Sequence, residues 1–202
     1  DTDRSRGLGD VYKRQVHVYV PEAIRRAIRA GVKSIEHGQL IDEPTMKLIA
    51  EKGVWLSMQP FIGEGNNHYT NPVQQAKHEL VVQGTDRAYQ LAKKYGVKLA
   101  WGTDLLFSPA NARNQNLNIE KMTRWFSNFE ILKMITHDNA ELLALSGRRN
   151  PYPGKLGVIE EGALADLIVV DGNALEDIKV LTDPGKNMLL IMKDGKIYKN
   201  DL

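Results

Sequence analysis

The chain contains no cysteine, which excludes disulfide frameworks and thiolate metal sites, so any metal must be held by imidazole and carboxylate. Long hydrophobic runs are also missing. The longest apolar stretches, such as Leu167 to Val170 and Met188 to Met192, fall far short of the roughly 20 residues that a spanning helix needs, and no membrane partner is expected. Neither charge dominates: 27 basic and 25 acidic side chains leave +2 over 202 residues. The basic stripe of a nucleic-acid surface is absent, and no nucleic-acid partner is expected. What is present, 42% hydrophobic and 26% charged residues, is the ordinary composition of a globular domain with one good core or two small ones. A cytoplasmic location is the default expectation.

Residues 1 to 15 differ in character from the rest of the chain. They carry seven charges, neither helical nor strand period, and no apolar core of the kind a signal peptide has. They read as a non-native or disordered lead-in to a truncated reading frame.

From Val16 onward, strands alternate with helices. Val16, Val18 and Val20 alternate with His17 and Tyr19, which predicts a strand with the valines on one face and His17 with Tyr19 on the other. Pro21 starts a helix where its missing N–H costs nothing, and Ala23, Ile24, Ala27 and Ile28 form the apolar stripe. A second strand, Val32 to Glu36, leads through His37-Gly38 to a helix capped by Asp42. Val54 to Met58 is the third strand, followed by a polar loop, Gln59 to Asn71, of binding-loop length. A helical stretch from Pro72 to Tyr95, with Gly84 as a candidate point of interruption, precedes the fourth strand, Val97 to Thr103. Helical crossovers between such strands imply a parallel sheet with right-handed connections.

Beyond Asp104 come a loop from Leu105 to Asn118 and helices over Phe129 to Ile135 and Asn139 to Leu145. Prolines and glycines between Pro151 and Gly162 then mark a change into short β segments. Leu167 to Val170 reads as a buried strand, and Leu189 to Met192 pairs with Lys196 to Tyr198 across an Asp194-Gly195 turn. The expected organisation is therefore a lead-in (1–15), half of an α/β barrel (16–150) and a partial β-sandwich module (151–202).

His17, His37 and Asp104 each close a predicted strand at its carboxyl end, where parallel α/β sheets bind ligands. A divalent metal accepts both donor types and brings a bound water close to neutral ionisation. The spacing leaves two readings open, a metal site and three ordinary strand-end polar residues. The third strand shows no comparable group.

The segments His17-x-Tyr19-x-Pro21-Glu22-Ala23-Ile24, Ala30-Gly31-Val32 and Ile35-Glu36-His37-Gly38 resemble strands five and six of the amidohydrolase superfamily. Gly102-Thr103-Asp104 resembles its strand-eight motif. Gly157 to Gly162 with Ala165-Asp166-Leu167 resembles its C-terminal signature. The similarity runs from Val16 to Lys199 and is greatest to the imidazolonepropionase and prolidase-like dipeptidase branch. It implies the C-terminal half of a (β/α)8 TIM-like barrel, strands five to eight, followed by part of a small β-sandwich. It further implies that His17 and His37 bind one metal, and that Asp104 touches a second metal and the attacking water. The implied cofactor is a divalent ion, zinc first, with one or two ions in the full-length protein. The implied reaction is hydrolysis of a carbon–nitrogen bond in an amide, cyclic amide or dipeptide by a metal-activated water, with Asp104 as the catalytic group.

The family's His-x-His pair of strand one and its strand-four lysine have no counterpart in this chain. The activity is therefore expected of a longer parent, and the alternative is a non-catalytic scaffold or inactive fragment. Expected partners are a small-molecule substrate and, for a half barrel with open edges, a homo-oligomer. Tyr19 shares a face with His17 and is a candidate for substrate contact. His68 and Tyr69, after Asn66 and Asn67 in the loop beyond the third strand, and Arg113 in the loop beyond the fourth, suit the binding of a substrate carboxylate. His78 and His137 fall in predicted helices and suggest no role.

Overall fold

Four short strands with alternating helices between them form a parallel sheet in the order in which they occur along the chain. The structure is a computed structural model describing residues 15–63, 69–105 and 112–202. The strands are β1 (Gln15–Val18), β2 (Ser34–His37), β3 (Trp55–Met58) and β4 (Leu99–Trp101). The helices between them are α1 (Pro21–Arg29), α2 (Glu43–Lys52) and α3 (Pro72–Tyr95). The chain divides into two units, one of Asp1–Gly102 with Leu145–Arg148, the other of Thr103–Ala144 with Arg149–Leu202.

Strand register sorts the sheet of the first unit into rows. Val16, Ile35, Leu56 and Leu99 are lateral partners, and Ile35 and Leu56 are fully buried. This apolar row meets Ile24 and Ile28 of α1 and Met46 and Ile49 of α2, also buried, as the apolar periodicity of both helices requires. Side chains alternate along a strand, so the neighbouring row, His17, Glu36, Ser57 and Ala100, faces the other side. That row is polar apart from Ala100, and it is the one that a closed barrel of this kind turns inward.

The helix starts follow local chemistry. Asp42 caps α2 by accepting the Thr45 N–H at 2.9 Å. Arg25 of α1 reaches across to donate to Asp42 at 3.2 Å and to Thr45 Oγ1 at 2.6 Å, which joins the two helices. Asn71 caps α3 in the same way, accepting from Val73 and Gln74.

Three expectations change. Helix α3 runs unbroken through Gly84, whose role is close approach: a Cβ there would stand 2.3 Å from the Gln39 carbonyl oxygen. Strand β4 is shorter than its apolar pattern, because pairing with β3 covers only Leu99 to Trp101. Leu167–Val170 forms a strand as expected but is not buried, with Ile168 55% and Val169 40% exposed.

In the second unit, α4 (Leu117–Lys121) and a 3-10 turn lead to α5 (Asn128–Lys133), which opens on a Ser127–Glu130 capping box. A π turn, Met134–Asp138, joins α5 to α6 (Asn139–Ala144). The remaining elements are β5 (Leu167–Val170), the short α7 (Pro184–Asn187), β6 (Met188–Lys193) and β7 (Lys196–Asn200). These strands form an antiparallel sheet in the order β5-β6-β7. Asp194 and Gly195 both take positive φ, 50° and 73°, as a tight hairpin turn between β6 and β7 demands. Among the described residues no helix is long and apolar enough to cross a membrane.

Candidate metal centre

Strict alternation from Ile35 would place the His37 side chain on the helix-facing side of the sheet. It does not lie there. His37 has φ 81°, a left-handed conformation that non-glycine residues rarely adopt and that costs of order 1–3 kcal/mol. The turn brings its ring back over the row holding His17: the two ring centroids are 4.3 Å apart at 77°. Tyr19, one side-chain period beyond His17, stacks on His37 at 4.6 Å and 15°.

The adjoining Gly38 makes this return possible. Its N–H bonds the Val18 carbonyl at 2.9 Å, its φ is 78°, and a Cβ would stand 2.8 Å from the Leu56 side chain. A side chain there would be strained by the positive φ and would require Leu56 to shift.

The strand-end group that the third strand was expected to lack is Gln59. It follows Met58, is 6% exposed, and its Oε1 lies 2.7 Å from His37 Nδ1. Gln39 is also buried and donates from Nε2 to the same oxygen at 3.4 Å. Glu36, lateral partner of His17, accepts from Ser34 Oγ at 2.5 Å. Only the period of the third strand pointed to Gln59, since an amide carries no motif of its own.

Both rings are donors of the type that a divalent ion accepts, and their centroids are 4.3 Å apart. Nitrogen and carboxylate oxygen are also the donors this cysteine-free chain can offer.

The structure brings together His17, His37 and Tyr19 of the sequence-derived candidates. Asp104 lies at the start of the second unit, three residues after β4, exposed and in left-handed backbone at φ 51°. It shares with His37 and Asp194 a left-handed conformation that non-glycine residues sparsely populate. Tyr69 packs its ring on His78 at 5.4 Å, and its N–H donates to Gln75 Oε1 at 3.2 Å, so its described contacts belong to the start of α3. Arg113 is exposed in a turn of the second unit. His68, with Asn66 and Asn67, lies outside the described residues.

A second group of ligand-type side chains occupies the π turn. His137 Nδ1 is 3.0 Å from Asp138 Oδ1, and His137 Nε2 is 3.9 Å from Glu141. Lys133 pairs with the same Asp138 oxygen, which makes this a partly buried ion-pair cluster.

Two imidazoles thus meet near the carboxyl ends of adjacent parallel strands, the end at which α/β sheets bind ligands. The sequence itself matches the amidohydrolase family over residues 13–198, and the chain belongs to that family. Ochratoxinase of Aspergillus niger is 33% identical over 187 residues, a match of 91% of this chain and 37% of the relative. A prolidase crystallised with N-methylphosphonate-L-proline is 33% identical with TM-score 0.78, the match covering 92% of this chain and 45% of that one. A Xaa-Pro dipeptidase with methionine in its active site is 29% identical with TM-score 0.79, over 98% of this chain and 47% of the other. The chain thus spans less than half the length of each of these relatives.

Proposed function

We propose that this chain supplies part of the active site of a zinc-type hydrolase of carbon–nitrogen bonds, with His17 and His37 as ligands to one divalent ion and Asp104 as the proton-transfer group. The observation that supports the reading best is the left-handed turn at His37. It sets a buried imidazole against His17, and backbone strain of this kind clusters at functional sites. A divalent ion held there would polarise the substrate carbonyl and lower the pKa of water to near neutrality.

The residues of this chain do the rest. Water adds to the carbonyl carbon as its proton passes to an Asp104 carboxylate oxygen. That proton then goes to the departing nitrogen as the carbon–nitrogen bond breaks, so one water is consumed and an acid and an amine are released. Tyr19, stacked on His37, restricts that ring to one orientation and offers an aromatic wall to the substrate. The names of two relatives, a prolidase and a Xaa-Pro dipeptidase, direct the substrate choice to dipeptides ending in proline.

The test uses the full-length protein, purified with zinc, cobalt or manganese. It is assayed against Xaa-Pro dipeptides, N-acyl amino acids, cyclic imides and hydantoins, with metal content measured in parallel. Hydrolysis of at least one class together with about one or two bound equivalents is expected. A protein that retains no metal and cleaves none of them overturns the proposal.

A further inference from the structure

We propose that Gln59 is a positioning residue that fixes the tautomer of His37: its side-chain oxygen takes the Nδ1 proton, so that His37 presents Nε2 to the metal. The inference rests on His37 being a ligand, as proposed above, but concerns a residue with no part in that reading.

Two side chains converge on one atom of the Gln59 amide. His37 Nδ1 lies 2.7 Å away and Gln39 Nε2 lies 3.4 Å away, with all three residues buried at 4%, 6% and 1% exposure for His37, Gln59 and Gln39. Amide oxygen and nitrogen can be exchanged without moving the heavy atoms, so the hydrogen-bonding balance decides their placement. With oxygen at the shared position, Gln59 accepts from both neighbours. Among the described residues, the buried Gln39 Oε1 is then left without a partner. With both amides reversed, Gln59 would donate to His37 and Gln39, and a buried NH2 of Gln39 would be left with both hydrogens unpaired. Buried N–H groups without an acceptor are rarer and costlier than under-used carbonyl oxygens. The first arrangement therefore prevails.

A neutral imidazole has one proton between its two nitrogens, and the bond made by one nitrogen assigns the role of the other. Taking the Nδ1 proton puts the lone pair on Nε2. Gln59 also stops the ring from rotating, because the acceptor is itself held by Gln39, whose backbone carbonyl lies against Gly84 of α3. Partners of this kind on metal-binding histidines typically contribute 10- to 100-fold in metal affinity.

The test is long-range 15N–1H correlation of the imidazole rings in metal-free protein at about pH 8.5, above the ordinary imidazole range, with His37 assigned by its loss in His37→Gln. The expected result is a proton on Nδ1 in the unaltered protein and in Gln59→Glu, which retains the acceptor. Gln59→Met, which keeps the length and removes the acceptor, should shift the proton to Nε2 and weaken zinc binding about 10- to 100-fold. A proton on Nε2 in the unaltered protein, or one that stays on Nδ1 in Gln59→Met, overturns the inference. If Gln59→Met fails to fold, the unaltered protein and Gln59→Glu still decide. An Nδ1 proton in a protein that takes up no metal would refute the metal reading and leave the role of Gln59 intact.

Discussion

Gly84 sits against Gln39 with no room to spare: a Cβ on Gly84 would stand 2.3 Å from the Gln39 carbonyl oxygen and 3.1 Å from the Leu40 side chain. The obstacle is backbone, which cannot rotate away. Gly84→Ala is therefore expected to destabilise the protein by about 1–3 kcal/mol, the usual scale of overpacking, although alanine is the better helix former. The displacement would reach Gln39 and through it Gln59, so metal affinity should fall as well. Urea unfolding of the two proteins provides the check, and equal midpoints would contradict the close approach.

Asp104 is expected to be dispensable for folding and needed for turnover. It is exposed, so Asp104→Asn should leave the unfolding midpoint unchanged while lowering kcat by about a hundredfold, the scale for loss of a general acid–base group. Metal should remain bound through His17 and His37. Hydrolysis of a good substrate at the parental rate would remove Asp104 from the mechanism.

Alanine at His17 or at His37 should each cost about one equivalent of metal, with activity falling in step, because the two rings in contact are expected to serve the same ion. The two variants should differ in stability. His17 is exposed, and its loss opens no core cavity; His37 is 4% exposed and bonded to Gln59, so its removal leaves a buried amide oxygen short of a donor. Unchanged metal content in both variants would return them to ordinary strand-end residues.

Acid should weaken the link between α2 and α3. Glu43, in the first turn of α2, accepts from Lys94 Nζ at 2.7 Å and from the Tyr95 hydroxyl, and these bonds together with the Lys94 charge hold its carboxyl at about 2. A carboxyl depressed in the folded state contributes its stability above the unfolded pKa and loses it as pH falls to the folded one. The loss is therefore expected between about pH 4.5 and pH 2. The pair is solvent-exposed and screened by salt. Glu43→Gln should flatten this part of the acid limb in urea unfolding at pH 5 and pH 3, and an identical slope in both proteins would argue against it.

The sequence alone determined the elements and their order. Period-two valines, proline-started helices and the Asp42 and Asn71 caps act within a few residues, and the observed strands and helices follow them closely. Family motifs likewise singled out His17, His37 and Asp104, each read within a short local pattern of the sequence. Tertiary structure decided what these residues meet. Alternation alone would have sent His37 to the helix-facing side; its left-handed φ turned the ring back to His17. Gln59 meets His37 by lying across the sheet from it, a relation of register between β2 and β3 that no local signal encodes. The same holds for Gly84, whose position in a helix pattern suggested a break and whose neighbour, 45 residues earlier in the chain, made it a point of close packing. Local propensity specifies φ and ψ one residue at a time, whereas these contacts join residues that only the assembled sheet makes adjacent.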